Sequence, residues 1–203
     1  MAATSVVAKE DNDVPQLSEH TLQALKEFLT ENALKESDPT IVEEDWQLSQ
    51  FWYSEETATV LANEAVRLCG QDGRIVCISC PTLYRKLKEL KCPLETMLLE
   101  YDTRFAVFGE DFIFYDYNNP LSIPLELKCD VVFADPPFLS SECLEKVSQT
   151  IKMIAPQYII LCTGAVMESD AKKFLGLRPT KFEPTHTRKL GNEFRCFANY
   201  DTL

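Results

Sequence analysis

Short apolar runs alternate with segments of helical periodicity through most of the chain, from residue 54 to residue 175. Each run has the length and composition of a buried strand. The runs lie at 74–80, 96–101, 112–117, 130–134 and 158–163. Strands that alternate with helices in this way predict a mostly parallel sheet with right-handed crossovers, that is, a doubly wound α/β architecture.

The helical segments have identifiable start and stop signals. One helix is predicted from Ser54, which can cap it, to Gly70, which suits a helix end. Another follows Pro81, because proline is tolerated in a first helical turn. Two more are predicted from the spacing of their apolar residues: one after Ser140 and Ser141, with Leu144 to Ile154 on its apolar face, and a shorter one at 171–175.

Both ends of the chain depart from this alternation. Residues 1–14 are predicted to form a disordered acidic tail. Residues 15–40 are predicted to form a helix that is capped by Ser18 and is followed by a polar linker. The main domain is therefore expected at 41–203. At its end, segments 179–185 and 194–200 predict a C-terminal antiparallel hairpin, because Gly191 and Asn192 in their connection favour a turn.

The chain is acidic, with 32 Asp and Glu against 20 Lys and Arg in 203 residues and a net charge of −12. Binding to phosphates requires a basic surface, so this balance disfavours a nucleic-acid substrate and suits a basic protein partner. No apolar run reaches the ~18 residues of a membrane span, and the N-terminus lacks the apolar region of a signal peptide. We expect a soluble, intracellular protein with no membrane contact.

Eight cysteines raise the question of a metal or redox site. Cys77 and Cys80 form a lone CxxC, and the chain has only His20 and His186 to complete a zinc site. On a strand, residues three apart face opposite sides of the sheet. We therefore expect buried free thiols and no metal, and we expect His186 at the surface or in the hairpin.

The most informative motif is Asp135-Pro136-Pro137-Phe138, directly after the apolar run VVFA. Ligands of α/β sheets bind beyond the carboxyl ends of the strands. Two prolines make the backbone rigid and remove two N–H donors, so this edge offers only acceptors, among them the Asp135 carboxylate. Such an edge can hold an amino group during alkylation, with the Phe138 ring beside it. The alternative is a motif that merely ends a strand and caps the next helix.

The sequence FADPPF resembles the [DNS]-PP-[YFW] motif of S-adenosylmethionine-dependent methyltransferases that act on amino groups. Over roughly residues 15–202 the chain resembles, more specifically, the lysine methyltransferases of translation elongation factor 1-alpha. The segments concerned are QLSQFWYS, LLEYDTRF, FIFYDYNNPL, ADPPFLSSECL, ILCTGAVME and HTRKLGNEFRCFANYD. The resemblance implies a seven-stranded Rossmann-like methyltransferase sheet and S-adenosylmethionine as cofactor. It also implies a cytoplasmic enzyme whose substrate is a lysine of translation elongation factor 1-alpha.

The same resemblance implies roles for particular residues. Its catalytic residues are Asp135, Pro136, Pro137 and Phe138, with Asp135 positioning the amine. An acid after the second strand is expected to bind the cofactor ribose, and Glu100 and Asp102 both qualify.

Four further residues complete the implied cofactor site. Asp116, after the third strand, is expected near the adenine amino group, and Gln47 and Phe51 near the methionine end. The first strand leads into Ile78-Ser79-Cys80-Pro81-Thr82 where the family has a glycine-rich loop, so Ser79 is expected beside the cofactor. A dinucleotide is disfavoured, because its pyrophosphate needs the missing glycines.

Two other functions are compatible with these residues. The DPPF motif also serves N6-adenine methylation of nucleic acid, and the missing glycine loop fits a non-catalytic binding module of the same fold. The net charge disfavours the first and the intact motif disfavours the second. We expect a monomer in which segment 183–193 flanks Asp135–Phe138 and helps to bind the protein substrate.

Overall fold

The computed structural model describes residues 18–26 and 42–201. The chain divides into two compact units, Met1–Ile41 and Val42–Leu203. In the first unit residues 19–26 are helical, and the Ser18 hydroxyl accepts a hydrogen bond from the Thr21 N–H at 3.2 Å, as expected of a helix cap. The predicted acidic tail and the polar linker lie outside the described residues.

The second unit contains a seven-stranded sheet in the order β3-β2-β1-β4-β5-β7-β6. The strands are β1 (Arg74–Ile78), β2 (Glu95–Glu100), β3 (Phe112–Phe114), β4 (Val131–Ala134), β5 (Tyr158–Gly164), β6 (Arg178–Pro179) and β7 (Phe194–Ala198). The first five strands pair in parallel, and β7 runs antiparallel to both of its neighbours. The predicted mostly parallel, doubly wound fold class is confirmed.

Four α-helices cover the sheet, and their ends match the signals in the sequence. They are α1 (Glu55–Cys69), α2 (Pro81–Glu89), α3 (Ser141–Ile154) and α4 (Glu168–Leu175). The Ser54 side chain accepts from the Thr57 N–H to cap α1, and Gly70 ends that helix with a φ of 71°. Ser140 caps α3 in the same way through the Cys143 N–H. Among the described residues, no helix is long and apolar enough to span a membrane.

Each strand contributes to two cores, one on either face of the sheet. Ile75, Leu98 and Phe133 pack on one face with residues of α1 and α2, whereas Val76 and Leu99 pack on the other with α3 and α4. This division follows from the alternation of side chains along a strand. Both faces being covered explains why the parallel strands are continuously apolar rather than alternating.

The predicted antiparallel pairing at the C-terminus is confirmed, but its first strand is shorter and begins earlier than expected. Within this segment only Arg178–Pro179 forms a strand paired with β7, and residues 180–193 form a long connection. Part of this connection pairs instead with the segment before α1: the Ser54 N–H donates to the Thr185 carbonyl at 2.9 Å, and the Thr187 N–H donates to the Trp52 carbonyl at 2.9 Å. Backbone groups of this connection that we expected to pair with β7 thus form hydrogen bonds with residues 52–54, which are distant in sequence.

The strand order reverses between β1 and β4, which are neighbours in the sheet although β2 and β3 separate them along the chain. Beyond their carboxyl ends the backbone stays ordered by hydrogen bonds. The Ser79 N–H donates to the Leu99 carbonyl at 2.9 Å, and the Asp135 N–H donates to the Ile78 carbonyl at 3.0 Å. Ligands of this architecture bind at such a reversal point.

Candidate active site

Two cavities lie at the carboxyl edge of the sheet. The first, about 350 Å³ and here called the Glu100 cavity, is formed by the ends of β1, β2 and β3 and by part of segment 47–50. The second, about 450 Å³ and here called the Asp135 cavity, lies between Asp135, segment 46–51 and residues 186–194. Pro137 lines both cavities. The DPPF motif is therefore their common wall.

Glu100 is the buried acidic residue of the Glu100 cavity. Its Oε1 accepts hydrogen bonds from the backbone N–H groups of Tyr101, at 2.9 Å, and Asp102, at 3.1 Å. Loss of hydration on burial outweighs these bonds and raises the pKa of Glu100 to about 7. A buried carboxylate held by one oxygen can accept hydrogen bonds from ligand hydroxyls with the other.

Asp102 is oriented differently from Glu100. Both of its oxygens accept hydrogen bonds from the Arg104 side chain, and Gln50 Nε2 donates to Oδ2 at 2.8 Å. Burial alone would raise the pKa of Asp102, but the bonds from Arg104 and Gln50 hold it below its usual value. Asp102 does not line the Glu100 cavity within the described structure. Of the two predicted ribose ligands, the geometry thus favours Glu100, and Asp102 serves to attach Gln50 to the end of β2.

Ser79 takes the conformation that a glycine would take in a tighter loop. Its φ is 54°, in the left-handed region that residues with a Cβ adopt rarely. The residue lines the Glu100 cavity directly after β1. The chain thus makes the turn after β1 without the glycine-rich loop, by holding one serine in a strained conformation.

Asp116 and Gln47 lie in the Glu100 cavity, as predicted for cofactor-binding residues. The Asp116 carboxylate accepts from the Asn118 N–H at 2.8 Å and from Asn119 Nδ2 at 3.1 Å, which forms the turn after β3. Each oxygen keeps further acceptor capacity toward the cavity. Rings of Tyr101, Tyr115, Tyr117 and Phe138 supply the apolar walls.

Phe51 lines the Asp135 cavity, apart from the other predicted cofactor residues. Segment 42–54 makes a short 3₁₀ helix (Trp46–Leu48) and then turns sharply at Ser49, whose φ is 55°. Gln47 precedes this turn and lines the Glu100 cavity, whereas Phe51 follows it and lines the Asp135 cavity. The turn at Ser49 therefore places Gln47 and Phe51 in different cavities, although we expected both near the methionine end of the cofactor.

Asp135 stands at the carboxyl end of β4 and lines the Asp135 cavity with Pro136 and Pro137. Loss of hydration raises the pKa of its carboxyl to about 7, a polar contact with the Tyr53 hydroxyl opposes this rise, and the charge of Glu100 adds to it. Phe138 is exposed by 44% and meets the Tyr117 ring edge-on at 5.8 Å between centroids. The motif thus turns its carboxylate to one cavity and its aromatic ring to the other.

Tyr53 contacts the Asp135 carboxyl and packs against His186, and its role was not predicted from the sequence. Tyr53 is 4% exposed, and its ring lies 5.3 Å from the His186 ring, which in turn lies 4.8 Å from Phe194. Burial lowers the pKa of His186 and so favours the neutral imidazole. The only signal in the sequence was the aromatic density of QFWYS, which does not say which ring is buried.

The remaining predictions for this region concern thiols and metals. Cys77 and Cys80 are buried and free, as expected. In residues 18–26 and 42–201 no group of three or more His, Cys, Asp or Glu side chains is arranged to hold a metal ion.

Comparisons with known proteins agree with this site. Residues 44–202 match the model of a family described as probable N6-adenine methyltransferase. The chain is 53% identical to "EEF1A lysine methyltransferase 1" of Gallus gallus over 205 residues, covering 94% of this chain and 96% of that protein. It is 52% identical to the protein of the same name from Homo sapiens, covering 95% of each.

A solved structure agrees with the fold alone. The branched-chain polyamine synthase mutein of Thermus thermophilus, in complex with N4-aminopropylspermidine and 5'-methylthioadenosine, aligns with a TM-score of 0.57 at 14% identity, over 77% of this chain and 58% of that one. The sequence similarity extends over nearly the whole chain and includes both cavities. The chain therefore belongs to the methyltransferase family that contains the proteins named EEF1A lysine methyltransferase 1.

Proposed function

We propose that this protein transfers a methyl group from S-adenosylmethionine to a lysine side chain of translation elongation factor 1-alpha. One observation carries the proposal: the acceptor-only edge Asp135-Pro136-Pro137 is the wall between two cavities, one suited to a cofactor and one open for a side chain. The names of relatives at about half identity supply the substrate. A cytoplasmic location and a monomeric state remain predictions from the sequence.

The Glu100 cavity fits S-adenosylmethionine. Its volume of about 350 Å³ lies in the range of small-ligand sites, which is roughly 300–1,000 Å³. Glu100 would accept hydrogen bonds from the ribose hydroxyls, Asp116 from the adenine amino group, and Ser79 and Gln47 would lie along the rest of the cofactor. When bound, the cofactor supplies an electrophilic methyl group on a sulfonium centre.

The protein's own task is to present a neutral amine in line with that methyl group. Asp135 and the proline carbonyls would accept hydrogen bonds from the amine N–H groups, which leaves the nitrogen lone pair free to face the methyl group. The raised pKa of Asp135, about 7, makes its carboxylate a better proton acceptor near neutral pH than an exposed carboxylate. Phe51 and Phe138 exclude water on either side.

Replacement of Asp135 tests this function. Asp135→Asn keeps the size and one acceptor but cannot take a proton, so methylation of elongation factor 1-alpha should fall by about 10²-fold or more. The measurement is transfer of labelled methyl to the purified factor, with cofactor affinity determined by calorimetry. Affinity should stay within a few-fold of the wild type, because Asp135 lies outside the Glu100 cavity.

Asp130→Asn is the matched control, since Asp130 stands at the opposite end of the same strand and accepts the Arg74 N–H at 2.8 Å. This variant should methylate as the wild type does. Normal turnover by Asp135→Asn would refute the assigned role. Transfer of label to an adenine-containing oligonucleotide, with none to the factor, would favour the N6-adenine alternative.

A further inference from the structure

Two cationic side chains line the Asp135 cavity, in a protein whose net charge is −12. Arg188 and Lys189 both line it, and both are exposed. Within the described residues Lys189 forms no ion pair. The sign of this local charge is opposite to that of the whole molecule.

Arg188 is held in place by a network rather than projecting freely. Its Nε lies 3.1 Å from Glu44 Oε2, and its guanidinium lies over the Trp46 ring at 4.9 Å from the centroid. The Glu44 carboxylate also accepts from the Trp52 N–H at 2.8 Å and from the Thr187 hydroxyl at 3.2 Å. Glu44 therefore fixes the segment before α1 and the connection 180–193 against each other, with Arg188 at the edge of the cavity.

These cations have a consequence for any substrate that enters. A lysine approaches as an ammonium ion, and the like charges that line the cavity oppose its entry. A carboxylate on the substrate beside that lysine reverses the effect, because it can pair with Lys189 and with the free N–H groups of Arg188.

We infer that the Asp135 cavity selects a lysine that has an acidic side chain as its neighbour on the substrate surface, and that Lys189, assisted by Arg188, binds that acid. The inference rests on the proposed lysine methylation and adds a substrate class to it. Long-range attraction between an acidic enzyme and a basic factor is a separate effect, because it concerns the whole surfaces.

The test begins with purified elongation factor 1-alpha methylated by the wild-type enzyme. Mass spectrometry of the product locates the modified lysine, and acidic residues within about 8 Å of it, the screening length at physiological salt, are replaced by Gln or Lys. We expect the Gln substitution to lower kcat/KM by about tenfold or more, as loss of a charged hydrogen bond does.

Enzyme variants complete the charge exchange. Lys189→Glu should lower kcat/KM on the unmodified factor and regain activity on the factor whose acid is now Lys. Lys181→Glu is the matched control, because Lys181 is exposed in the same connection but lies outside both cavities. It should act as the wild type on every substrate, and both variants should bind cofactor normally.

The results separate the two hypotheses. A modified lysine with no acid within that distance, or an acid whose replacement has no effect, overturns the inference and leaves the proposed function intact. If no lysine is modified, the proposed function itself fails. If an adenine oligonucleotide is methylated and Lys189→Glu impairs that reaction, the cations bind phosphate and both hypotheses are overturned.

Discussion

The Glu100 and Asp135 cavities share Pro137, yet they are built from different kinds of structure. The Glu100 cavity is formed chiefly by residues at the ends of consecutive parallel strands, whose positions follow from the sheet. The Asp135 cavity instead brings residues 46–51 together with residues 186–194, two segments joined by backbone and side-chain hydrogen bonds. The comparison suggests that cofactor binding depends on the common architecture and substrate choice on irregular segments, as is general for loops on a rigid scaffold.

Glu100→Gln should weaken ligand binding in the Glu100 cavity and leave the Asp135 cavity unchanged. Loss of a charged acceptor for the ribose hydroxyls should weaken cofactor binding by roughly 10- to 100-fold, while kcat at saturating cofactor changes little. Calorimetry measures the affinity. Glu95→Gln is the control at the other end of β2, where Glu95 is exposed and pairs with Arg74 at 2.7 Å. Equal affinities for the two variants would place the ribose elsewhere.

The raised pKa of Glu100 adds a pH test to the same variant. Since the carboxylate form accepts hydrogen bonds best and the pKa is about 7, wild-type affinity for the cofactor should rise between pH 6 and pH 8. Affinity of Glu100→Gln should be nearly independent of pH over that range. A wild-type affinity that falls as pH rises would contradict the proposed contact.

Asp135→Asn should change the stability of the protein in a way that depends on pH. The folded-state pKa of Asp135, about 7, exceeds its ordinary value of 3.8, so the native state keeps this proton longer than the unfolded chain. Its contribution to the free energy of unfolding is therefore lost as pH rises from about 4 to 7. Asp135→Asn does not undergo this loss. Its free energy of unfolding at pH 8 should therefore exceed that of the wild type, on the order of 2 kcal/mol after allowance for partial exposure. At pH 4 the variant should have no such advantage.

Denaturant unfolding at the two pH values measures this difference. It pairs well with the activity assay, because a variant that is more stable yet inactive has lost a function rather than its fold. A variant less stable than the wild type at pH 8 would show that the carboxylate is stabilised in the folded protein and not strained.

Ser79 should give the smallest effect. Relief of its left-handed strain by Ser79→Gly is offset by the greater flexibility of glycine in the unfolded chain, so the free energy of unfolding should change by less than about 1 kcal/mol. Ser79→Val places a β-branched side chain at a φ of 54° and should lower it by about 1–2 kcal/mol. Thermal unfolding of both variants measures this, and equal stability would argue against strain at this turn.

Much of the fold was predictable because the signals are local. Buried parallel strands are continuous apolar runs, helix ends have their caps, and the DPPF motif directly follows a strand. The different roles of Glu100 and Asp102 were also predictable from neighbouring residues. Asp102 caps the short helix that begins at Thr103, because its side chain accepts a hydrogen bond from the Arg104 N–H. That capping use removes it from the candidate ligands.

The remainder depends on contacts between distant segments. Residues 180–185 have strand-like composition, but the partner that Thr185 meets is Ser54, more than a hundred residues earlier. Phe51 and Gln47 are separated by the conformation of Ser49, which no residue type near it demands. Tyr53 matters for the site because the fold places its hydroxyl against the Asp135 carboxyl. Periodicity contains none of this information.

The position of β7 has a consequence for synthesis of the chain on the ribosome. Every described residue that lines the Glu100 cavity has been added once Phe138 is in place, whereas the lining of the Asp135 cavity extends to Phe194. Because β7 inserts between β5 and β6, the sheet is complete only when the last strand has emerged. The cavity for the substrate is therefore the last part to be completed, and a nascent or truncated chain that stops before residue 186 lacks one of its walls.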